Sequence, residues 1–487
     1  MWVLIGLLVA IGPLLRGAWD LWAQTLLLIA VIAGSSLWLA AGIVSGRVPA
    51  LRGRVLLWAG ALAGLGAVCA AASPLAATSV PEWRWRLAGL WVFAVLPAVS
   101  EDERDRIDIA IRAAAWALVL LVFWQKFVEG QGRPPGSLLK ENVFAGTCLL
   151  FLPLAWKARD YFLLAALLLA MVWSRSVGAW LALAAAGAAL GARPAARRLG
   201  LVAAAVCAAV VLAKFRDAAV LDRLRWWGAA WGMFLDRPWT GYGPGAFAYV
   251  LPAFSPGAEV SSLYAHQSVI ESLAETGWLH TLLLFAGFGV FLRAGRTHRT
   301  FGAAAVLVQS MWDLTLSIPA NLWLFSYYAG SSLRPASRWV AVPRDWRLPS
   351  VLLVLGLGGI LSQRVWSTWQ ADRLRTMASA RLSEARVPGD IDGARRLLER
   401  SAALVDHAET RRLLAETELG SGGTAWAEGP GAEGMAAAAG HLERAAELNP
   451  YRPSTWAALE VVYRGLGRED AARDARSRGV AFCAKLK

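Results

Sequence analysis

The sequence predicts an all-α fold, a polytopic transmembrane helical bundle of about 12 to 13 spans followed by an α-helical tetratricopeptide-like repeat domain. Three observations carry this. Of 487 residues, 57% are hydrophobic and 17% charged, where a soluble globular chain carries about 25% charge. The apolar residues recur in runs approaching the roughly 20 residues that cross hydrocarbon. After residue 361 the pattern turns amphipathic and charge-balanced. This excludes a disordered chain, a secreted disulfide scaffold and an ordinary cytosolic enzyme. Cys69, Cys148 and Cys207 sit inside apolar runs and Cys483 at the far end, with neither disulfide nor metal spacing.

The runs extend over Trp2 to Leu15, Leu21 to Val44, Val55 to Pro74, Leu87 to Val99, Ile107 to Phe127, Val143 to Trp156, Tyr161 to Trp173, Val177 to Leu190, Leu199 to Leu212, Gln267 to Leu292, Phe301 to Leu316 and Ala320 to Leu333. A thirteenth, Val351 to Leu361, follows an Arg-rich loop, Arg334 to Arg347. The first run lacks a basic leader and reads as a retained anchor. Tryptophans near run ends, such as Trp19, Trp22, Trp83, Trp85, Trp366 and Trp369, suit the membrane interface and its lipids.

Of the formal net charge of +14, +12 belongs to the first 360 residues, in short loops without a continuous stripe, so nucleic acid is not an expected partner. The positive-inside rule places Arg47, Arg52 and Arg54 in the cytoplasm, and alternation puts Arg193, Arg197, Arg198, Arg293, Arg296, Arg299 and the loop Arg334 to Arg347 on the same side. Loops 128–142 and 214–266 then lie outside together, although they carry Arg133, Lys140, Arg216, Arg223, Arg225 and Arg237. Basic residues on the translocated side suggest a use other than topology.

The expected domains are a membrane domain, 1–335, a linker with a probable extra span, 336–366, and a helical repeat tail, 367–487. Ala438, Leu442, Ala445, Pro450, Trp456, Leu459, Tyr463 and Ala472 fit the phase of a 34-residue tetratricopeptide repeat; Ile391 to Leu419 reads as a degenerate pair and Gly420 to Gly434 as an insertion or loop. The extra span would put this tail outside the cytoplasm, beside the external loops, where it could gather a protein partner. Treating Phe301 to Leu333 as one span broken at Pro319 would instead leave the tail cytoplasmic.

Loop 214–266 and its continuation hold the informative residues. Arg223 precedes Trp227 by four, Asp236-Arg-Pro-Trp-Thr-Gly-Tyr-Gly-Pro-Gly245 follows, and His266 opens the next span ahead of Glu275-Thr-Gly277. Gly241, Gly243 and Gly245 permit a tight turn and close backbone approach, equally a span-end loop. Fixed guanidinium groups bind phosphate bidentately; at a span end an arginine also serves as a headgroup anchor. His266 has a pKa range suited to taking a proton near neutral pH. Glu275, nine residues on, and Asp313, inside an apolar run, read as supporting acids. His280, His298, His407 and His441 read as structural. The acids Glu259, Glu271 and Glu275 are too dispersed for a metal cage, so no metal or other cofactor is expected.

Together these residues resemble the signature region of the O-antigen ligase and polymerase family. Arg133-Pro-Pro-Gly136 with Lys140-Glu-Asn142, Ser174-Arg175 and Ser310-Met-Trp-Asp313 extend the likeness over roughly residues 50 to 335. Where family members carry Asn after the His, this chain has Gln267. The resemblance implies a metal-independent inner-membrane glycosyltransferase moving a glycan from a polyprenyl pyrophosphate carrier to an acceptor hydroxyl on the outer face. The acceptor would be lipid A core, another glycan or a protein. His266, Arg223 and Arg175 are the implied catalytic residues. Arg133, Arg225, Lys140, Asn142, Gln267, Gly241 and Gly243 would bind substrate, with Glu275 and Asp313 in support. A lipid-linked sugar transporter, a non-catalytic scaffold with a partner-binding tail and an elongation-type peptidoglycan polymerase stand as alternatives. A transporter would place charge near the bilayer midplane.

Overall fold

The computed structural model describes every residue except 51–52, 191–193, 195–197, 199, 203–204, 206–208, 210–217, 256–261, 295–296, 334–338, 385–387, 421–430 and 484–487. It is helical almost throughout. The membrane domain contains α1 (Trp2–Leu14), α2 (Leu21–Val44), α3 (Gly53–Ala71), α4 (Ala76–Val95), α5 (Glu101–Phe127), α6 (Glu141–Lys157), α7 (Tyr161–Ser174) and α8 (Val177–Leu190). After the expected ninth run, most of which lies outside the described residues, come α9 (Ala218–Asp236), α10 (Phe247–Phe254), α11 (Ser268–Ala294), α12 (His298–Gln309) and α13 (Pro319–Ser331). A long α14 (Arg344–Glu384) leads to α15 (Pro388–Leu404), α16 (Ala408–Glu418), α17 (Ala432–Leu448), α18 (Pro453–Gly465) and α19 (Glu469–Cys483).

Among the described residues, five helices are long and apolar enough to cross a membrane: α2, α3, α5, the Ser268–Phe291 part of α11, and α14. Local chemistry sets several boundaries. Ser100 and Glu103 form a reciprocal capping box at the start of α5, while Asp160 and Thr297 cap α7 and α12.

The helices alternate between two ends. At one end, a short antiparallel pairing joins β1 (Arg47–Pro49) to β2 (Trp339–Ala341), and Arg347 donates to the Val44 carbonyl. There too Asp108 pairs with Arg299 at 2.6 Å and Lys157 at 3.2 Å. The expected cytoplasmic arginines Arg47, Arg299 and Arg347 therefore group together, while Arg52, Arg193, Arg197, Arg296 and Arg334 lie outside the described residues. At the opposite end Ser137 donates to the Pro13 carbonyl, Trp19 meets Tyr264 edge-on, and Arg133 reaches the Ser174 carbonyl.

Three boundaries differ from expectation. The polar stretch ahead of Leu87 is helical, since α4 starts at Ala76 and carries Glu82 and Arg86 inside the bundle. Loop 214–266 is built largely from α9 and α10. The run Phe301 to Leu316 stops being helical at Gln309, leaving 310–318 irregular apart from one 3-10 turn, Thr315–Ser317. Gly302, early in α12, faces Tyr328, late in α13. The two helices thus lie antiparallel rather than as one broken span.

The 41-residue α14 also runs antiparallel to α2, with Arg347 at Val44 and Gly358 packed on Ser36. At 1.5 Å per residue it is about 60 Å long, twice the roughly 30 Å of hydrocarbon. It passes without a break into the tail, so the boundary expected at residue 366 falls in mid-helix. In the tail, the expected repeat positions Ala438, Leu442, Ala445, Trp456, Leu459, Tyr463 and Ala472 are buried, and α15 with α16 encloses a smaller core around Leu398, Leu413 and Leu414.

Candidate functional site

The site begins at a break in α11. Gly277 adopts φ +71°, interrupting the helix, and the turn Pro238–Gly245 docks into the gap. Tyr242 N–H donates to the Ala274 carbonyl at 2.9 Å, Gly243 N–H to the Glu275 carbonyl at 2.8 Å, and Trp278 N–H to the Pro238 carbonyl at 2.9 Å. Gly241 has φ +61° and Gly243 φ +101°. A Cβ at Gly241 would lie 2.5 Å from the Thr276 nitrogen, and one at Gly243 2.5 Å from Ser73 Cβ. Their amides are spent on Arg237 and on α11. At both glycines the chain therefore packs directly on its neighbour.

Buried charge holds this joint. Glu275 pairs with Arg86 of α4 at 2.9 Å and accepts the Phe247 N–H at 3.4 Å. One helical turn earlier, Glu271 accepts the Ala265 N–H at 2.8 Å and the Ser317 hydroxyl at 3.0 Å. Glu271 thereby ties the peptide just before His266 to the irregular segment 310–318. Carboxylates this deep in an apolar bundle persist only when paired and hydrogen-bonded.

His266 sits in the left-handed region at φ +57° and is 9% exposed. Its imidazole stacks on Trp226 of α9, with centroids 5.1 Å apart and planes 22° from parallel. Nδ1 faces Asp313 Oδ1 at 3.8 Å, beyond hydrogen-bond length, and has no other partner among the described residues. Asp313 therefore faces His266 and lies in an irregular segment, not within a span helix. Ser268 N–H donates to the Ser310 carbonyl at 2.8 Å, which fastens the start of α11 to that segment.

The arginines approach along two routes. Arg223 is half-buried on α9, three residues before Trp226, hence on the same helix face. Arg175 is exposed as the left-handed C-cap of α7, φ +54°. Arg133 is fixed beside it, donating to the Ser174 carbonyl at 3.0 Å and pairing with Glu141 at 2.8 Å. Three residues past Arg175, Gly178 packs under Trp312, the neighbour of Asp313. The segment Ser174–Gly178, which carries Arg175 and meets Arg133, thus packs against Trp312, next in the chain to Asp313, which faces His266 on Trp226.

Other expected ligands stand differently. Arg225 is exposed and pairs with Asp222 at 3.4 Å. The Gln267 side-chain oxygen accepts the Ile270 N–H at 2.6 Å, capping α11. The Asn142 backbone carbonyl accepts from Gln309 at 3.1 Å, and Lys140 is exposed at the start of α6. Glu259 lies outside the described residues. Among those described, no three His, Cys, Asp or Glu side chains converge as a cation site. Sequence reasoning missed Glu271, Arg86 and Trp226. The signal available was Glu271 and Glu275 four apart on one helix, two acids that need a buried partner.

A cavity of about 460 Å³ opens between α3, α4, α11 and α13 and reaches Ser268, near the start of α11. Leu62, Leu90, Phe93, Leu283, Phe288 and Phe325 give it a largely apolar lining, into which Arg86, Ser268, Glu271, Glu275, His280 and Ser310 also face. Outside the spans, burial first, and then the hydrogen bond to Asp236, push the Tyr242 hydroxyl far above its usual range, so it remains a neutral donor.

No curated protein matches the chain. A family model described as O-antigen ligase matches residues 162–286. That stretch includes Arg175, Arg223, the glycine turn, His266 and the Glu271–Glu275 brace; Arg133, Asn142 and Asp313 lie beyond it. The match and the apolar helices support a multi-pass membrane protein with a glycosyltransferase-like role in O-antigen synthesis, and residues 162–286 of the chain are similar to the O-antigen ligase family.

Proposed function

We propose that the protein transfers a glycan from a polyprenyl pyrophosphate carrier to an acceptor hydroxyl at the outer face of the inner membrane, without a metal. The observation that carries this is His266, stacked on Trp226 of the helix that bears Arg223 and facing Asp313, with Arg133 held at the Ser174 carbonyl beside Arg175. Arg175 and Arg223 hold the two phosphates, with Arg133 fixing the Arg175 segment. The acceptor oxygen attacks the anomeric carbon and the bond from that carbon to the pyrophosphate oxygen breaks. His266 takes the hydroxyl proton, Asp313 steadies the imidazolium that forms, and the leaving pyrophosphate accumulates charge against the guanidinium groups. The cavity that reaches Ser268 suits part of the prenyl chain, its apolar lining extending between the helices.

A transporter reading draws on Arg86, Glu271 and Glu275, which the fold carries inside the bundle. Their hydrogen bonds to Ala265, Phe247 and Ser317 favour a bracing role instead. The test is the purified protein in nanodiscs with a polyprenyl-pyrophosphate-linked glycan and lipid A core as acceptor. Product and free carrier pyrophosphate are expected in equal amounts, and His266→Ala should abolish both. Carrier translocated intact, with no bond cleaved on any of the three acceptor classes, would replace this reading by transport.

A further inference from the structure

The tail inserts one side chain into the core of the loop region. Tyr451 lies in the turn between α17 and α18, where Asn449 Oδ1 accepts its N–H at 3.1 Å and Trp456 Nε1 donates to the Pro450 carbonyl at 2.8 Å. These contacts fix the turn to the tail. The Tyr451 ring, 2% exposed, does not join the tail's own core. It lies in an apolar cluster with Tyr242, Phe247, Val250 and Phe254, its centroid 5.5 Å from that of Tyr242 and the planes at 81°. Phe482 of α19 backs it from the tail side at 6.1 Å.

The same cluster continues into the site. Tyr242 is the central residue of the glycine turn, its hydroxyl donating to Asp236 at the end of α9 and its ring under the Arg237 guanidinium at 5.0 Å. Ala229, Ala230 and Met233 of α9 belong to this cluster, and Trp226 packs on its edge while stacking on His266. Tyr451 therefore closes the far side of the packed unit whose near side sets the plane of the imidazole.

We propose that Tyr451 is a positioning residue for the transfer site, acting through Tyr242 and α9, and that the tail is a structural part of the catalytic unit. The effect on transfer rests on the function proposed above; the packing effect does not. Close-packed interiors transmit the loss of a large side chain to their neighbours, so removal of this ring loosens the glycine turn and frees His266.

The test uses the full chain in nanodiscs, with hydrogen exchange at Tyr242 and Gly243 and the rate of diethylpyrocarbonate modification at His266. Tyr451→Ala should raise both at least about tenfold, Tyr451→Leu should give an intermediate rise, and Tyr451→Phe, which keeps the ring and loses only the hydroxyl bonded to Tyr242, should give the smallest rise. Transfer from the lipid-linked donor should fall in kcat in the same order. Changes confined to α17, α18 and α19 would overturn the proposal, as would undiminished kcat in a variant with a loosened turn. If Tyr451→Ala does not reach the membrane, the Leu and Phe variants decide between the same outcomes. A wild-type protein that transfers nothing would remove the proposed function, yet leave the exchange and modification results to judge the packing.

Discussion

Replacing Gly241 by Ala, with Gly130→Ala as its partner measurement, tests whether the glycine turn is a packing joint. Both glycines have positive φ, +61° and +70°. An L-residue pays about 1–2 kcal/mol for that conformation, and the gain from a stiffer unfolded chain is alike at both sites. Their surroundings differ. A Cβ at Gly130 meets nothing within 4 Å, whereas one at Gly241 falls on the backbone of Glu275 and lies 2.5 Å from the Thr276 nitrogen. Relieving an overlap in a packed interior costs about 1–3 kcal/mol. Weakening the Tyr242 and Gly243 hydrogen bonds to α11 adds about 1 kcal/mol each. The excess at Gly241 is therefore about 3–5 kcal/mol, roughly a hundredfold to a few thousandfold in an opening equilibrium. Hydrogen exchange at Tyr242 and Gly243, measured on both full-length variants, reads this excess directly. Equal acceleration in the two variants would refute the packing assignment and return the glycines to substrate contact.

Four further outcomes are expected. Arg175→Lys and Arg223→Lys should each lose at least about tenfold in transfer with charge retained, because a lysine cannot form the bidentate fork; wild-type rates in both would remove these residues from the phosphate site. Asp313→Asn should lower kcat about 10²-fold, the usual scale of a general-base contribution, with donor KM little changed, and a KM effect alone would make Asp313 a binding residue. In the tail, burial and then the charge of Arg375 push His407 down to about 4, and its Nδ1 caps α16 by accepting from Glu409; with the unfolded value near 6.5, α16 should lose about 2 kcal/mol of stability as pH falls from 7 to 5. Burial alone would raise Asp406, but hydrogen bonds from Arg411 and Arg444 hold it below the usual carboxylate range, so its contribution fails only at still lower pH; intrinsic-rate-corrected exchange in residues 408–418 that does not change between pH 7 and 5 would contradict the histidine argument. A periplasm-dependent reporter fused at Lys487 should be active, since α14 runs from the basic end to the end that carries the loops; activity only in a cytoplasmic reporter would invert the orientation.

The parts of the fold legible in the sequence were those with a local signature. Leu21 to Val44 is bounded by Asp20 and Ser45 and matches its helix residue for residue, and Val177, after Ser176, is also where its helix begins. The spacing of Arg223, the glycine turn, His266 and Glu275 was readable because the motif is contiguous in the chain. Arg86 was not, because its partner Glu275 is 189 residues away and a charged stretch without its partner looks like a loop. For the same reason Asp313 appeared to lie inside a span: hydropathy of residues 301–316 does not record that segment 310–318 leaves the helix to meet Ser268 and Glu271. The substrate roles expected of Gly241 and Gly243 came from the resemblance and from backbone freedom, neither of which says whether a ligand or another helix fills the space.

The uninterrupted α14 also fixes the tail's rotational phase. Each residue inserted into an α-helix turns everything beyond it by about 100° and lifts it by about 1.5 Å. One residue added between Thr368 and the tail would therefore swing Tyr451 away from Tyr242, whereas seven would nearly restore the angle but raise the ring by about 10 Å. The length of this strut is held by the distance between membrane and loop, so related chains that keep the contact must keep the count of residues along α14, however freely its exposed side chains vary.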